Sequence, residues 1–259
     1  MRSSSHRPRK RFGQHFLHDP RVLARIVDAL SLQPSDFVVE IGPGEGALTR
    51  RLLEKTRHVE TIEIDRDLAA RLRQENIKVH EADALEFDYS GFPPGARIVG
   101  NLPYNISTPL LFHLARFAQR VRDMHFMLQR EVVERMVAAP STAQYGRLSV
   151  ALQVRFRMQK LFTVAAGAFR PPPKVESAMV RLVPMEGAAL REAEAAVFDQ
   201  ILRRAFSARR KTLSNALALA LGPEDYGALQ IERGLRPEAL SPAHYLRIAR
   251  YLSGKGEGR

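Results

Sequence analysis

Apolar positions recur along this chain in two rhythms, and the rhythm changes near Tyr145. Val22, Leu23, Ile26, Val27 and Leu30 keep helical spacing, and Asp19-Pro20 supplies a helix start, which predicts a helix running to Leu32. Phe37-Val-Val-Glu-Ile is a short apolar run with the length of a buried strand. Ala47, Leu48, Leu52 and Leu53 then return to one helical face, and Val59-Glu-Thr-Ile-Glu-Ile-Asp reads as a second strand. Helix is expected over 66–75, strand over 78–82 and, after the break at Pro93-Pro-Gly, strand over 97–101. Helix over 108–118, strand over 124–128 and helix over 130–138 complete the series. Strands alternating with helices predict a parallel sheet covered on both faces.

Beyond Tyr145 the periodicity is less regular. Residues 148–156 fit a helix or a strand, 161–164 is a short apolar run, and Phe169-Arg-Pro-Pro-Pro-Lys-Val is stiffened by proline. Val175-Glu-Ser-Ala-Met-Val-Arg-Leu-Val alternates as a strand and is expected to close the sheet. Gly187-Ala-Ala-Leu is a hinge candidate. From Leu190 to Tyr251 only helical spacing remains, carried by Val197, Ile201, Leu202, Ala205 and Phe206 and then by Leu213, Leu217 and Leu221. The expected organisation is an N-terminal arm and α/β domain over residues 1–186, and a small all-helical domain over 187–259 with a disordered tail from Gly254.

Composition narrows the function classes. The 259 residues include no Cys, which excludes disulfides and thiolate metal sites and suits a reducing, cytoplasmic setting. No apolar run approaches the length of a membrane span. His18, His58, His80, His113, His125 and His244 lack metal-ligand spacing, so no metal is expected. The net charge of +12 and a pI near 10.5 belong to a binder of polyanions. Five basic side chains fall within residues 1–11, and Arg203, Arg204, Arg209, Arg210 and Lys211 form a second cluster, read as RNA-binding.

The chemistry gathers at strand ends. Glu40-Ile-Gly-Pro-Gly-Glu-Gly closes the first strand with glycines at 42, 44 and 46, where missing Cβ atoms let backbone amides approach a ligand before a helix begins. The spacing is G-x-G-x-G, whereas a dinucleotide site wants G-x-G-x-x-G, so a ligand without a pyrophosphate is indicated. Glu63, Asp83 and Asn101-Leu-Pro-Tyr104 end the next three strands, where one ligand could touch all of them. Taken singly, Asn-Leu-Pro-Tyr is more often a turn, Glu63 a solvated strand end and Phe169 a core residue. Their joint order is far more specific than any member.

Together with Gln14-His-Phe-Leu, Asn101-Leu-Pro-Tyr-Asn-Ile-Ser-Thr-Pro and Phe169-Arg-Pro-Pro-Pro-Lys-Val-Glu-Ser-Ala, these motifs make the chain resemble the ribosomal RNA adenine dimethyltransferases, specifically the bacterial small-subunit branch. The resemblance spans roughly Arg9 to Tyr251. It implies a Rossmann-like domain that uses S-adenosylmethionine to place two methyl groups on N6 of each of two adjacent adenines near the 3′ end of small-subunit (16S) RNA. It also implies a partly assembled particle as the preferred substrate, and a monomer is expected.

Carried over by position, the resemblance implies that Gly42 and Gly44 line the cofactor, Glu63 holds its ribose and Asp83 with the Ala84 backbone reads its adenine. His15 and Leu17 belong to a segment folded over the cofactor; relatives carry Asn or His at the position of His15. Asn101 and the Leu102 carbonyl would accept the two N–H bonds of the target amine, Pro103 would fix the turn, and Tyr104 and Phe169 would cover the two faces of the base. Two other readings stay open on sequence: a large-subunit rRNA or DNA adenine methyltransferase, and a non-catalytic assembly factor on the same scaffold.

Overall fold

The computed structural model describes residues 14–185, 190–207 and 211–257. The basic arm, residues 187–189 of the expected hinge, and Arg209 and Arg210 lie outside the described residues. In chain order the elements are β1 (Phe16–Leu17), α1 (Pro20–Leu30), β2 (Val38–Ile41), α2 (Ala47–Leu53), β3 (Val59–Glu63), α3 (Arg66–Gln74) and β4 (Lys78–Glu81). Next come β5 (Ala96–Asn101), α4 (Ser107–Leu114), β6 (Val121–Gln129), α5 (Arg130–Met136), α6 (Arg147–Gln153) and β7 (Phe156–Val164). The chain continues with β8 (Phe169–Arg170), β9 (Ser177–Pro184), α7 (Glu192–Ala205), α8 (Leu213–Ala216), α9 (Pro223–Ala228) and α10 (Pro242–Glu257).

Seven strands form one sheet in the order β4-β3-β2-β5-β6-β9-β7, and β1 pairs antiparallel with β8 in a separate two-stranded ribbon. The five strands from β4 to β6 are mutually parallel. Every residue of β2 and β3 is buried, the polar Glu40, Glu60, Thr61 and Glu63 included, so neither strand shows a solvent-facing side.

Helix boundaries follow local chemistry. The Asp19 carboxylate accepts from the N–H groups of Arg21 and Val22, Pro20 takes the first turn, and Ser31 stops α1 at a φ of +48°. Asp65 caps α3 in the same way, its carboxylate accepting from the Asp67 N–H. A buried charge group pins the opposite end of the sheet: Arg97 donates two 2.8 Å bonds to the Asp123 carboxylate and a 3.0 Å bond to Asp36. Such a bidentate fork satisfies charges that burial would otherwise make expensive.

Three expectations change. The strand read over 175–183 does not close the sheet: β9 runs antiparallel to β6 and is flanked by β7, so the sheet is mixed and β7 is its edge. Residues 148–156 resolve into a helix that ends at Gln153 and a strand that begins at Phe156. Helix α10 continues to Glu257, past the Gly254 at which a disordered tail was expected.

The chain divides into two units, one comprising the described residues up to Val133 with Met158–Pro184, the other Glu134–Arg157 with the described residues from Met185. The sequence boundary between 186 and 187 falls within two residues of the last crossing, but 134–157, kept in the first domain by its position in the chain, clusters with the helical unit. In that unit α7 packs on α10, burying Phe198, Ile201, Leu202, Tyr245 and Ile248. Its buried tyrosines are satisfied: the hydroxyls of Tyr145 and Tyr245 donate 2.8 Å bonds to the carbonyls of Leu240 and Pro237.

Candidate active site

The strand order reverses at β2, with β3 and β4 to one side and β5 and β6 to the other, and a parallel sheet opens a crevice at the carboxyl ends beside such a reversal. A pocket lies there. It is lined by the strap Gln14, His15, Phe16 and Leu17, the end of β2 with its glycine loop, the end of β3, Ala82 to Ala84 after β4, and the segment from Asn101 to Ile106.

The glycine loop is shaped by close approach. Gly44 has a φ of +58°, and a Cβ there would meet two ring carbons of Phe16 at 2.9 Å, so a side chain is excluded on both conformational and steric grounds. The loop thereby turns the Gly44 N–H onto the Glu63 carboxylate, 3.2 Å from Oε2. Gly42 shares the left-handed conformation at +66°.

Two carboxylates are buried in this pocket. Glu63 is 4 % exposed; its Oε1 accepts a 2.9 Å bond from the Asp65 N–H while Oε2 faces Gly44. Burial raises its pKa, against the opposing pull of those amide bonds. Glu40, 2 % exposed, accepts a 2.6 Å bond from the Thr49 hydroxyl. Burial pushes its carboxyl up to about 7; Thr49 draws it down and neighbouring Glu63 adds to the rise. Sequence reasoning missed Glu40 and Thr49. The available signal was a lone carboxylate inside an apolar run, with Thr49 beyond the glycine loop on α2. Asp83 contributes a third carboxylate to the lining, with Oδ1 accepting from the Leu85 N–H at 2.8 Å. The Ala84 carbonyl accepts from the Tyr89 hydroxyl at 3.0 Å, fixing the loop that carries Asp83.

The tetrad occupies the turn from β5 into α4. Asn101 donates through Nδ2 to the His15 carbonyl at 2.8 Å, which leaves its Oδ1 as an acceptor with no partner among the described residues. The Leu102 side chain is buried and its N–H donates to the Met127 carbonyl at 3.1 Å, tying the turn to β6. Pro103 follows, its carbonyl accepting from the Ile106 N–H at 3.2 Å. The Tyr104 hydroxyl lies 2.8 Å from Ser177 Oγ, and its ring centroid is 5.6 Å from that of His15. His15 in turn donates from Nδ1 to the Pro171 carbonyl at 2.7 Å.

The structure thus brings His15, Leu17, Gly42, Gly44, Glu63, Asp83, Ala84, Asn101, Leu102, Pro103 and Tyr104 to one pocket. Phe169 is not among them. Its ring is 2 % exposed and packs in the apolar core with Leu17 and Met179, because β8 pairs with β1 and turns this side chain inward. Arg203, Arg204 and Lys211 belong to the helical unit; Arg203 and Lys211 are exposed and Arg204 half-buried.

Comparisons with known proteins agree with this geometry. The ribosomal RNA small subunit methyltransferase A of Thiobacillus denitrificans is 56 % identical over 252 residues, covering 96 % of this chain and 99 % of that protein. Among solved structures, a dimethyladenosine transferase from Plasmodium falciparum superposes with a TM-score of 0.82 at 29 % identity, covering 93 % of this chain and 98 % of that one. The 23S rRNA methyltransferase ErmE does so with a TM-score of 0.70 at 28 % identity, covering 92 % and 99 %. The sequence profile described as ribosomal RNA adenine dimethylase matches residues 5–253, a span holding the strap, the glycine loop and the Asn-Leu-Pro-Tyr turn alike, and the chain belongs to that family.

Proposed function

We propose that this protein transfers methyl groups from S-adenosylmethionine to N6 of two adjacent adenines near the 3′ end of small-subunit (16S) ribosomal RNA, giving N6,N6-dimethyladenosines. It acts as a cytoplasmic monomer on a pre-ribosomal particle, late in small-subunit assembly. The observation that carries this reading is the Asn101 amide, anchored by its nitrogen and presenting an oxygen at the end of β5 beside a pocket of carboxylates. The small-subunit substrate is favoured over a large-subunit one by the 56 % identity to a small-subunit enzyme against 28 % to ErmE.

The residues present fit the cofactor. Four carboxylates line one pocket, Glu40, Glu45, Glu63 and Asp83, two of them buried, and suit a ligand that is cationic at its reactive centre and carries hydroxyls and an amino group. When bound, S-adenosylmethionine supplies an electrophilic methyl group on a sulfonium. Each Glu63 oxygen already takes one amide N–H and keeps a lone pair for a ribose hydroxyl. Asp83, with Oδ1 committed to Leu85, keeps Oδ2 for an adenine amino group.

An adenine amine is a poor nucleophile because its lone pair is delocalised into the ring, and no side-chain base is strong enough to deprotonate it first. Asn101 Oδ1 and the Leu102 carbonyl accept its N–H bonds, drawing the nitrogen toward tetrahedral geometry and directing its lone pair. Tyr104 supplies a stacking face, worth about 1–3 kcal/mol per base. Holding reactants in this way can remove roughly 7–11 kcal/mol of a barrier. The proton departs only after the nitrogen has become cationic. The target must be splayed out of its stack to enter.

The test is methyl transfer from labelled cofactor to small-subunit particles and to naked RNA, with the modified bases identified. Dimethyladenosine at two adjacent positions is expected, with particles preferred. Label on another base, or on large-subunit RNA only, would overturn the reading.

A further inference from the structure

The side chain that holds Tyr104 comes from an element remote in sequence. Ser177 is the first residue of β9, stands opposite Gln129 of β6 and is fully buried. Its hydroxyl lies 2.8 Å from that of Tyr104, across 73 residues of chain, and this is its sole side-chain hydrogen bond among the described residues. The start of β9 is itself fixed: the Glu176 carbonyl accepts from the Arg130 N–H at 2.9 Å, and the Glu176 carboxylate pairs with the Arg130 guanidinium. Tyr104 is therefore held by its hydroxyl on β9, by its ring beside His15, and by its backbone carbonyl, which accepts from Ser107 Oγ at 3.2 Å.

Tyr104 is tethered at its hydroxyl and open to the pocket along its ring. Its hydroxyl is drawn toward a buried serine while the ring lines the pocket next to Asn101. With the hydroxyl fixed, the ring as a whole cannot swing about the Cα–Cβ bond away from the pocket without breaking that hydrogen bond. We propose that Ser177 is a positioning residue for methyl transfer, its hydroxyl fixing the place of the Tyr104 ring on which the target adenine is received; this rests on the reading of the pocket as an adenine methyl-transfer site. Ser177 touches neither base nor cofactor and acts through Tyr104. The Phe169 ring, packed inward, leaves Tyr104 as the aromatic wall of the tetrad, so the orientation of one ring governs how the amine meets Asn101.

The test compares Ser177→Ala, Tyr104→Phe and the double variant on small-subunit particles, with 3-fluorotyrosine incorporated so that the ring at position 104 is followed by fluorine NMR. Its resonance is assigned by its disappearance in Tyr104→Phe. Ser177→Ala is expected to shift and broaden that resonance and to lower kcat about tenfold, the loss of one hydrogen bond's worth of orientation, with KM and cofactor affinity within about twofold. The double variant is expected to match Tyr104→Phe alone, since either change breaks the same bond. Ser177→Thr, which keeps the hydroxyl, is expected to restore the resonance and most of the rate. Should Ser177→Ala fail to fold, Tyr104→Phe breaks the bond from the other side and must show the same loss in kcat at unchanged KM. An unmoved resonance, a full rate in both single variants, or losses that multiply in the double variant would overturn the positioning role while leaving the proposed reaction intact. A wild-type protein that methylates no adenine, with the resonance still moving in Ser177→Ala, would instead overturn the reaction and the catalytic half of this proposal with it.

Discussion

The Asn101 side chain donates through Nδ2 to the backbone carbonyl of His15, 86 residues earlier in the chain, at 2.8 Å. A backbone carbonyl can only accept, so this bond sets which end of the amide is nitrogen and which end faces a substrate. The strap is thus a wall of the pocket and, in the proposed reaction, a support for the chemical step. It is anchored by its own pairing: Phe16 and Leu17 stand opposite Arg170 and Phe169, and the His18 N–H donates to the Ala168 carbonyl at 3.0 Å.

His15→Ala is expected to be mild for that reason. The variant loses the ring packing against Tyr104 and the bond to the Pro171 carbonyl but keeps the backbone carbonyl that orients Asn101. One lost hydrogen bond of about 1 kcal/mol corresponds to a rate loss below roughly tenfold. Steady-state methyl transfer checks this, and a loss of about a thousandfold would show that the imidazole itself takes part.

Glu40 gives a pH signature. Its folded-state carboxyl holds its proton up to about 7, whereas the ordinary value is 4.5. Its contribution to stability is therefore intact below pH 4.5 and lost as pH rises through about 7, on the order of 3 kcal/mol at most. Glu40→Gln keeps an acceptor for Thr49 and removes the titration, so the fall in melting temperature between these limits should flatten. Cofactor affinity should move the other way in the wild type, rising as the carboxylate forms beside a cationic ligand, and should lose that dependence in Glu40→Gln. Calorimetric titration on either side of that value, at about pH 5.5 and about pH 8.5, reads it, and equal pH dependence in both proteins would remove Glu40 from the site.

Much of this site was legible in the sequence, because its parts are backbone devices with strict residue demands. Glycine at 44 is favoured by φ and by the Phe16 ring, and the Asn-Leu-Pro-Tyr turn and Glu63 stand at the ends of strands β5 and β3. What was not legible depends on spatial order. The polar residues of Phe156–Val164 hide an edge strand, because an edge need bury only part of itself. Nothing local tells β9 to lie between β6 and β7, or β1 to pair with a two-residue strand at Phe169–Arg170. Phe169 beside three prolines looks like a stacking platform until that pairing turns it inward. Glu40 reads as an ordinary strand residue until both faces of β2 prove to be covered.

The basic cluster of the helical unit should be felt in the salt dependence of binding. Replacing Arg203, Arg204 and Lys211 with Gln is expected to weaken binding to small-subunit particles and to make the log–log salt dependence shallower by roughly 0.7–0.9 for each phosphate left without its cation. Cofactor affinity should stay unchanged, since none of the three lines the pocket. Filter binding across a salt series measures this, and an unaltered slope would mark the cluster as a solvated face.

The most direct measurement compares Asn101→Ala with the wild-type protein in single-turnover methyl transfer to small-subunit particles, with cofactor and particle affinities determined alongside and the RNA digested to nucleosides. In the proposed reaction the Asn101 bond to the amine strengthens as positive charge develops, so its loss should fall on the transition state and leave both affinities within about tenfold. Removing a comparable preorganised group costs on the order of 10²–10³ in rate. Asn101→Asp keeps an acceptor and should retain more activity than Asn101→Ala, stalling at monomethyladenine because the second transfer must fit a methyl group where one N–H was. Wild-type protein yielding dimethyladenosine while Asn101→Ala binds normally and transfers hundreds-fold more slowly is the predicted result. Dimethyladenosine formed at the wild-type rate by Asn101→Ala would contradict the account of how the amine is activated.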